Sequence, residues 1–311
     1  MTKNKNRIHG WLNVDKPYGL TSTQTLGKIK KALNPSKAGH GGTLDPLATG
    51  CLPVALGEAT KTVSFVMEKT KVYEFDVTWG EQRTTDDLEG DILQTSDKRP
   101  AKDQVEALLP QFTGLINQTP PLYSAVKVDG KRAYDKARND EEVILKTREV
   151  RIDSFEILSH DRDRSRFRVT CGKGTYVRSL ARDMGHSLGC FGHVSTLRRT
   201  RVGPLTEKNM ISLDILENFD HIADLDAVLL PLDVVLDDIP AIGLTPQEAG
   251  KLRNGGELVF SSKPDIERMQ NAGIDFPCTE EREILTKQAN QPVAVTALLG
   301  AKLKPVRVFN F

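Results

Sequence analysis

Apolar side chains fall on alternating positions from Val72 to Trp79, with Tyr73, Phe75 and Val77 between, which predicts a half-buried strand. From Arg164 to Thr170 the alternation takes another form. Arg164, Arg166 and Arg168 interleave with Ser165, Phe167 and Val169, so the predicted strand is basic on one side and apolar on the other. Further strands are predicted over Gly10 to Val14, Val143 to Leu158 and Phe191 to Val202. Helical spacing marks Thr23 to Leu33, with Leu26, Ile29 and Leu33 on one face and Ser22 as N-cap. It also marks Lys102 to Phe112 and a helix from Tyr176 to Leu188, opened by Gly174-Thr175 and closed by Gly189. Mixed strands and helices, without repeats, predict an α+β fold whose sheet is mixed but largely antiparallel.

Past Pro240 the pattern changes. Leu244-Thr245-Pro246 opens a helix, Asn254-Gly255-Gly256 makes a turn, and Pro292 to Leu298 and Val306 to Phe309 read as strands. Lys263 to Ala289 is polar with little periodicity and is expected to be a long loop. Two domains are therefore predicted: a larger one over residues 1–240, with an insertion at about 117–150, and a small β-rich one over residues 241–311.

The net charge of +1 hides an uneven distribution. Residues 160 to 210 hold eleven Lys and Arg against four acids, whereas residues 211 to 240 hold eight acids and no base. Such asymmetry points to a nucleic-acid surface, with Arg198, Arg199 and Arg201 as candidate phosphate contacts. The Pro120-Pro121 excursion adds Lys127, Lys131 and Arg132 next to Tyr123 and Tyr134, a composition suited to clamping RNA. No apolar run is long enough to span a bilayer, and the polar N-terminus has no signal-peptide character. Cys51, Cys171, Cys190 and Cys278 lack metal or disulfide spacing, so idle thiols in a reducing cytoplasm are expected. No dinucleotide fingerprint, P-loop or histidine ligand pair is present; neither cofactor nor metal is expected.

The densest chemical signal is His40-Gly-Gly-Thr-Leu-Asp45-Pro-Leu-Ala-Thr-Gly50. One carboxylate lies in a glycine-rich turn that permits unusual backbone and close approach by another molecule. Together with Lys16-Pro17-x-Gly-x-x-Ser22, Lys71-x-Tyr73, Gly174-Thr-Tyr176-Val-Arg178-Ser-Leu180 and Leu197-Arg198-Arg199, this element resembles the bacterial TruB family of tRNA pseudouridine synthases. The likeness runs nearly end to end. It implies the pseudouridine synthase fold with a PUA-like C-terminal RNA-binding domain, and isomerisation of the T-loop uridine at tRNA position 55 without a cofactor.

By the same resemblance Asp45 is the catalytic carboxylate, as nucleophile or as base. Arg178 pairs with it, and Tyr73 stacks on the flipped uracil and handles a proton. His40 fills the vacated place in the RNA stack. Tyr176 and Leu197 line the uracil pocket, and Lys16 with Pro17 buttresses the loop. The family pattern sets an Asp three residues before Gly90, which is Asp87, in a supporting role. The expected partner is the tRNA T-arm, with no membrane, no guide RNA, no obligate protein partner and a monomeric state. A guide-dependent dyskerin-type synthase and a non-catalytic RNA-folding protein stay open at this point.

Overall fold

The computed structural model describes residues 5–124, 127–128, 131–132, 145–217 and 225–311. Among them runs a ten-stranded sheet. Its main path is Ile211–Ser212, Gly10–Lys16, Ala48–Leu56, Gly192–Val202, Lys71–Trp79, Arg164–Cys171, Arg148–His160 and Gly114–Gln118. Two short strands flank this path: Ala38–His40 pairs with Ala48–Leu56, and Leu205–Thr206 with Gly192–Val202. The Gly192–Val202 strand runs parallel to Ala48–Leu56, as does Gly10–Lys16 to Ile211–Ser212; the other neighbours are antiparallel. This is the α+β arrangement that the alternation predicted.

Burial explains the alternation. Phe75, Val77, Trp79, Phe167 and Val169 share one face of the sheet, covered by Val177, Leu180, Ala181 and Met184 of the Val177–Leu188 helix and by Val105 and Leu108 of Lys102–Leu108. A second core joins Leu12, Val14, Leu52 and Val54 to Leu26, Ile29 and Leu33 of the Ser22–Leu33 helix. On the opposite face of Arg164–Cys171 the arginines do not stand alone. Arg166 and Arg168 reach Glu74 on the neighbouring strand at 2.8 and 2.7 Å, so part of the basic stripe is neutralised within the sheet.

Several expectations shift. Thr21, not Ser22, caps the first helix through a reciprocal box with Gln24, because the Ser22 hydroxyl is buried on the backbone of Leu44. The helix from Lys102 ends at Leu108 and tightens into a 3-10 turn over Leu109–Phe112, where Pro110 lacks an amide donor. The strand expected from Val143 starts at Arg148; residues 143–144 lie outside the described residues.

The long loop expected over Lys263 to Ala289 is overturned. It holds a helix, Lys263–Asn271, capped by the Ser262–Asp265 box, and a strand, Cys278–Gln288. That helix buries only Met269, so its apolar stripe is too thin to register as a period. The strand belongs to a second sheet of order Ala241–Gly243, Cys278–Gln288, Gln291–Gly300, Lys302–Val308 and Leu258–Val259. Its core is Ile242, Leu252, Phe260, Ile284, Val293 and Leu303.

Candidate active site

The loop between Ala38–His40 and Ala48–Leu56 carries Asp45, and two buried cations hold it from beneath. Lys16, fully buried at the end of Gly10–Lys16, gives its ammonium to the carbonyls of Pro17, Leu20 and Pro46 at 2.8, 2.5 and 3.1 Å. Burial drives its pKa down to about 8, with Asp45 pulling the other way. Arg199 lies below the turn with 2 % of its surface exposed. Its guanidinium donates to the carbonyls of Cys51 and Gly42 at 2.7 and 3.2 Å, with Thr43 O at 3.5 Å. Arg199 thus satisfies backbone acceptors on both sides of the turn, one of them on the buried Cys51.

Arg199 is therefore not a phosphate ligand. Its motif position suits a dense basic cluster, but the parallel pairing of its strand with Ala48–Leu56 turns the side chain inward. Arg198 is committed as well, bidentate to Asp15 at 2.9 and 3.0 Å and bound to Glu207 at 2.7 Å. Arg201 is exposed, its Nε resting on Gly203 O. Lys127–Val128 and Lys131–Arg132 pair as a short hairpin, and the side chains of Lys127, Lys131 and Arg132 lie outside the described residues.

Above the loop, the first turn of Val177–Leu188 points Arg178 at Asp45. Nη2 donates to Oδ1 at 3.1 Å, and Nε stands 2.9 Å from Oδ2, an ion-pair contact without hydrogen-bond alignment. Arg178 is buried. It also donates to Thr85 O and Tyr123 O at 2.9 and 3.0 Å and faces Asp87 at 3.6 Å. Three carboxylates, those of Asp45, Asp87 and Asp86, outweigh the cost of burial and hold its proton above the usual arginine range. The Asp45 side chain keeps a third of its surface open.

That opening leads into a cleft of about 1180 Å³, lined by Asp45, Tyr73, Tyr176, Arg178 and Leu197 together with Lys71 and Arg148. Register brings them there. Leu197 lies beside Ala48 and Phe75, and Tyr73 beside Arg199 and Val169. Burial pushes the Tyr73 phenol up, against the pull of Arg199. Tyr176 stands before the helix, its amide donating to Gln118 Oε1 and its carbonyl accepting from Nε2, with the Arg148 guanidinium 5.0 Å over its ring.

His40 is not among the residues lining this cleft. It sits half-buried at the end of its strand, its Nδ1 without a partner, and burial with the nearby Arg199 keeps the imidazole below its usual range. Asp87 is buried, held by the Thr85 hydroxyl and the Glu89 amide. Sequence reasoning missed the partner of the adjacent acid: Asp86 binds Arg182. The spacing of Arg182, four residues after Arg178 on one helix, was the available signal. It also missed Gln118 and Thr85, which act through backbone groups, and it gave Ser22 the role of N-cap where the hydroxyl instead holds the backbone of Leu44. Among the described residues no group of three His, Cys, Asp or Glu could hold a metal ion.

A carboxylate pinned by a buried arginine at the foot of a cleft, on a mixed sheet of this order, has the make-up of an enzyme active site. Residues 30–177 match the model of the TruB family pseudouridylate synthase N-terminal domain, and residues 178–237 that of the tRNA pseudouridylate synthase B C-terminal domain. The tRNA pseudouridine synthase B of Brucella canis is 46% identical over 329 residues, covering 99% of this chain and 98% of its own. That of Caulobacter vibrioides is 46% identical over 309 residues with the same coverage. Among solved structures, one chain of a Cbf5–Nop10–Gar1 complex superposes with a TM-score of 0.71 at 28% identity, covering 97% of this chain and 84% of its own. The chain belongs to the TruB family of pseudouridylate synthases. The family boundary at residues 177 and 178 falls inside the unit expected to span 1–240.

Proposed function

We propose that this chain isomerises uridine to pseudouridine at position 55 in the T-loop of tRNA, alone and without a guide RNA. The observation that carries this reading is Asp45, one-third exposed at the foot of a large cleft and ion-paired to a buried arginine. The reaction breaks the bond from the ribose C1′ to N1, turns the uracil and rejoins it through C5, which then gives up its hydrogen as a proton while N1 takes one up. Asp45 serves as the nucleophile or as the base that opens the route. Arg178 holds it oriented. Tyr73 stacks on the extruded base, and Tyr176 and Leu197 close around it.

Extrusion costs a few kcal/mol, and His40 offsets part of this by filling the place the base leaves in the RNA stack. Lys16, Pro17 and Asp87 keep the loop and Arg178 in place. Lys127, Lys131, Arg132, Arg201 and the exposed edge of Arg198 take the RNA backbone. Residues 241–311 form a PUA-like RNA-binding domain beside the catalytic domain, and the enzyme works as a monomer in the cytoplasm. No helix among the described residues is long and apolar enough to cross a membrane.

The test is to incubate the purified chain alone with an unmodified tRNA transcript and map pseudouridine. Conversion at the T-loop uridine is expected, and none with Asp45→Asn, whose tRNA affinity stays within a few-fold because phosphate contacts dominate binding. Turnover by Asp45→Asn, with deamidation excluded by mass spectrometry, overturns the role of Asp45. Conversion only when a guide RNA is added overturns the stand-alone reading.

A further inference from the structure

The Val177–Leu188 helix directs two arginines, one turn apart, at the same short segment. Arg178 takes Thr85 O through Nη1, and its Nε stands 2.9 Å from Asp45 Oδ2 and 3.6 Å from Asp87 Oδ2. Arg182 takes Asp86 Oδ2 through Nη1 at 3.1 Å and Thr119 O through Nη2 at 2.8 Å, and its Nε meets Asp183. The adjacent acids Asp86 and Asp87 thus part company, one to each arginine.

The backbone is built for this division. Asp86 is buried at φ +60°, a left-handed conformation that Asp and Asn tolerate better than other side chains. Its amide donates to Arg83 O at 3.1 Å, and its carbonyl accepts from Val194 N at 3.0 Å. The carboxylate thus ties the turn to the helix and the carbonyl ties it to the Gly192–Val202 strand, while the amide closes the turn on Arg83. None of this touches the cleft.

We propose that Asp86 and Arg182 are a positioning pair: by fastening the Thr84–Asp87 turn to the helix, they fix the place where Arg178 must lie to grip Asp45. The inference rests on the reading of Asp45 as the reacting carboxylate. A guanidinium is planar and forked, so its hold on Asp45 depends on where Thr85 O and Asp87 stand behind it. A shift of about 1 Å in such a support costs up to about 100-fold in rate.

Burial supplies a second handle, pushing Asp86 up to about 6. The charged groups facing it are Arg182 and Arg178, which pull down, and Asp183, which pushes up. The carboxylate of the pair is therefore charged above about pH 6 and protonated below it.

The experiment compares single-turnover pseudouridine formation by the full chain, Asp86→Asn and Arg182→Gln on an unmodified tRNA transcript between pH 5.5 and 8. Asn keeps the left-handed backbone and removes only the charge. At pH 8 the expected loss is about tenfold or more for each variant, with tRNA affinity within twofold and melting temperature within a few degrees. The double variant is no slower than either single one, because the pair acts as a unit. Below pH 6 the ratio of native to Asp86→Asn rates falls toward one, which a merely structural role would not produce. A ratio that stays constant across the range, rates within twofold of native at pH 8, or losses that track unfolding in both variants overturn the proposal. Failure of the native chain to form pseudouridine instead overturns the functional reading beneath it.

Discussion

At the scale of single residues, the site depends on buried cations: Lys16, Arg178 and Arg199. Arg199 has the composition of a nucleic-acid contact and the burial of a core residue, and its fork collects carbonyls from both sides of the Asp45 loop. Removing it takes a donor from each, and at the fully buried Cys51 a lost partner costs about 1–3 kcal/mol. Arg199→Met is accordingly expected to lower unfolding stability by about 3 kcal/mol, read from urea titrations. Lysine does not rescue it, since a point ammonium cannot reproduce the fork. Arg201→Ala, at the surface, stays within about 0.5 kcal/mol. Were Arg199 a phosphate ligand the pattern would invert: its loss would weaken tRNA binding and its salt dependence while stability held.

At the scale of elements, the catalytic loop is anchored by the parallel pairing of Ala48–Leu56 with Gly192–Val202, and Gly50 makes that pairing possible. Its φ is +97°, and a Cβ there would stand 2.3 Å from the carbonyl oxygen of Arg199. Gly50→Ala therefore combines a forbidden backbone with a clash that no flexible side chain can relieve. We expect a loss of at least about 2 kcal/mol and a fall in rate beyond that seen for Gly39→Ala, where the space is open. An equal effect at the two glycines would mean that the pairing does not position Asp45. Gly50 was legible in the sequence as part of a motif; its reason was not, because the close approach comes from Arg199, on a strand far along the chain. Alternation exposed the Lys71–Trp79 strand for the opposite reason: from Phe75 to Trp79 the apolar residues are buried and the polar ones between them are not, so polarity there reports burial directly. Asp86 and Asp87 show the limit. Adjacent and chemically identical, they are sorted only by the helix that brings Arg178 and Arg182 to them. The Lys263–Asn271 helix shows another, since with one buried residue its polar sequence carries no period to read.

At the scale of the whole molecule, the C-terminal sheet is not an appendage. Leu285, Val295 and Phe309 share a core with Trp11, Cys51, Leu232 and Val235 of the catalytic unit. Around that core Lys61 donates to Val308 O at 2.7 Å, Asn310 N donates to Glu58 at 2.8 Å, and Lys287 pairs with Asp233 at 2.5 Å. Three buried apolar side chains at about 1.5–3 kcal/mol each contribute about 5–9 kcal/mol across this junction. That is comparable to the roughly 5–15 kcal/mol that holds a whole domain folded, so neither unit can lose the other cheaply. The two tryptophans provide reporters: Trp79 lies in the catalytic core, and Trp11 in the shared one. Single-tryptophan variants made by Trp11→Phe or Trp79→Phe are each compared with circular dichroism of the same variant. In each, fluorescence and dichroism are expected to give one coincident transition, the mark of a single cooperative unit. A chain ended after Pro240 is expected to melt well below the full one, with Trp11 emission already shifted to the red before heating. If Trp11 reports an early transition that dichroism and Trp79 do not share, the C-terminal sheet unfolds by itself and the shared core does not couple the two units.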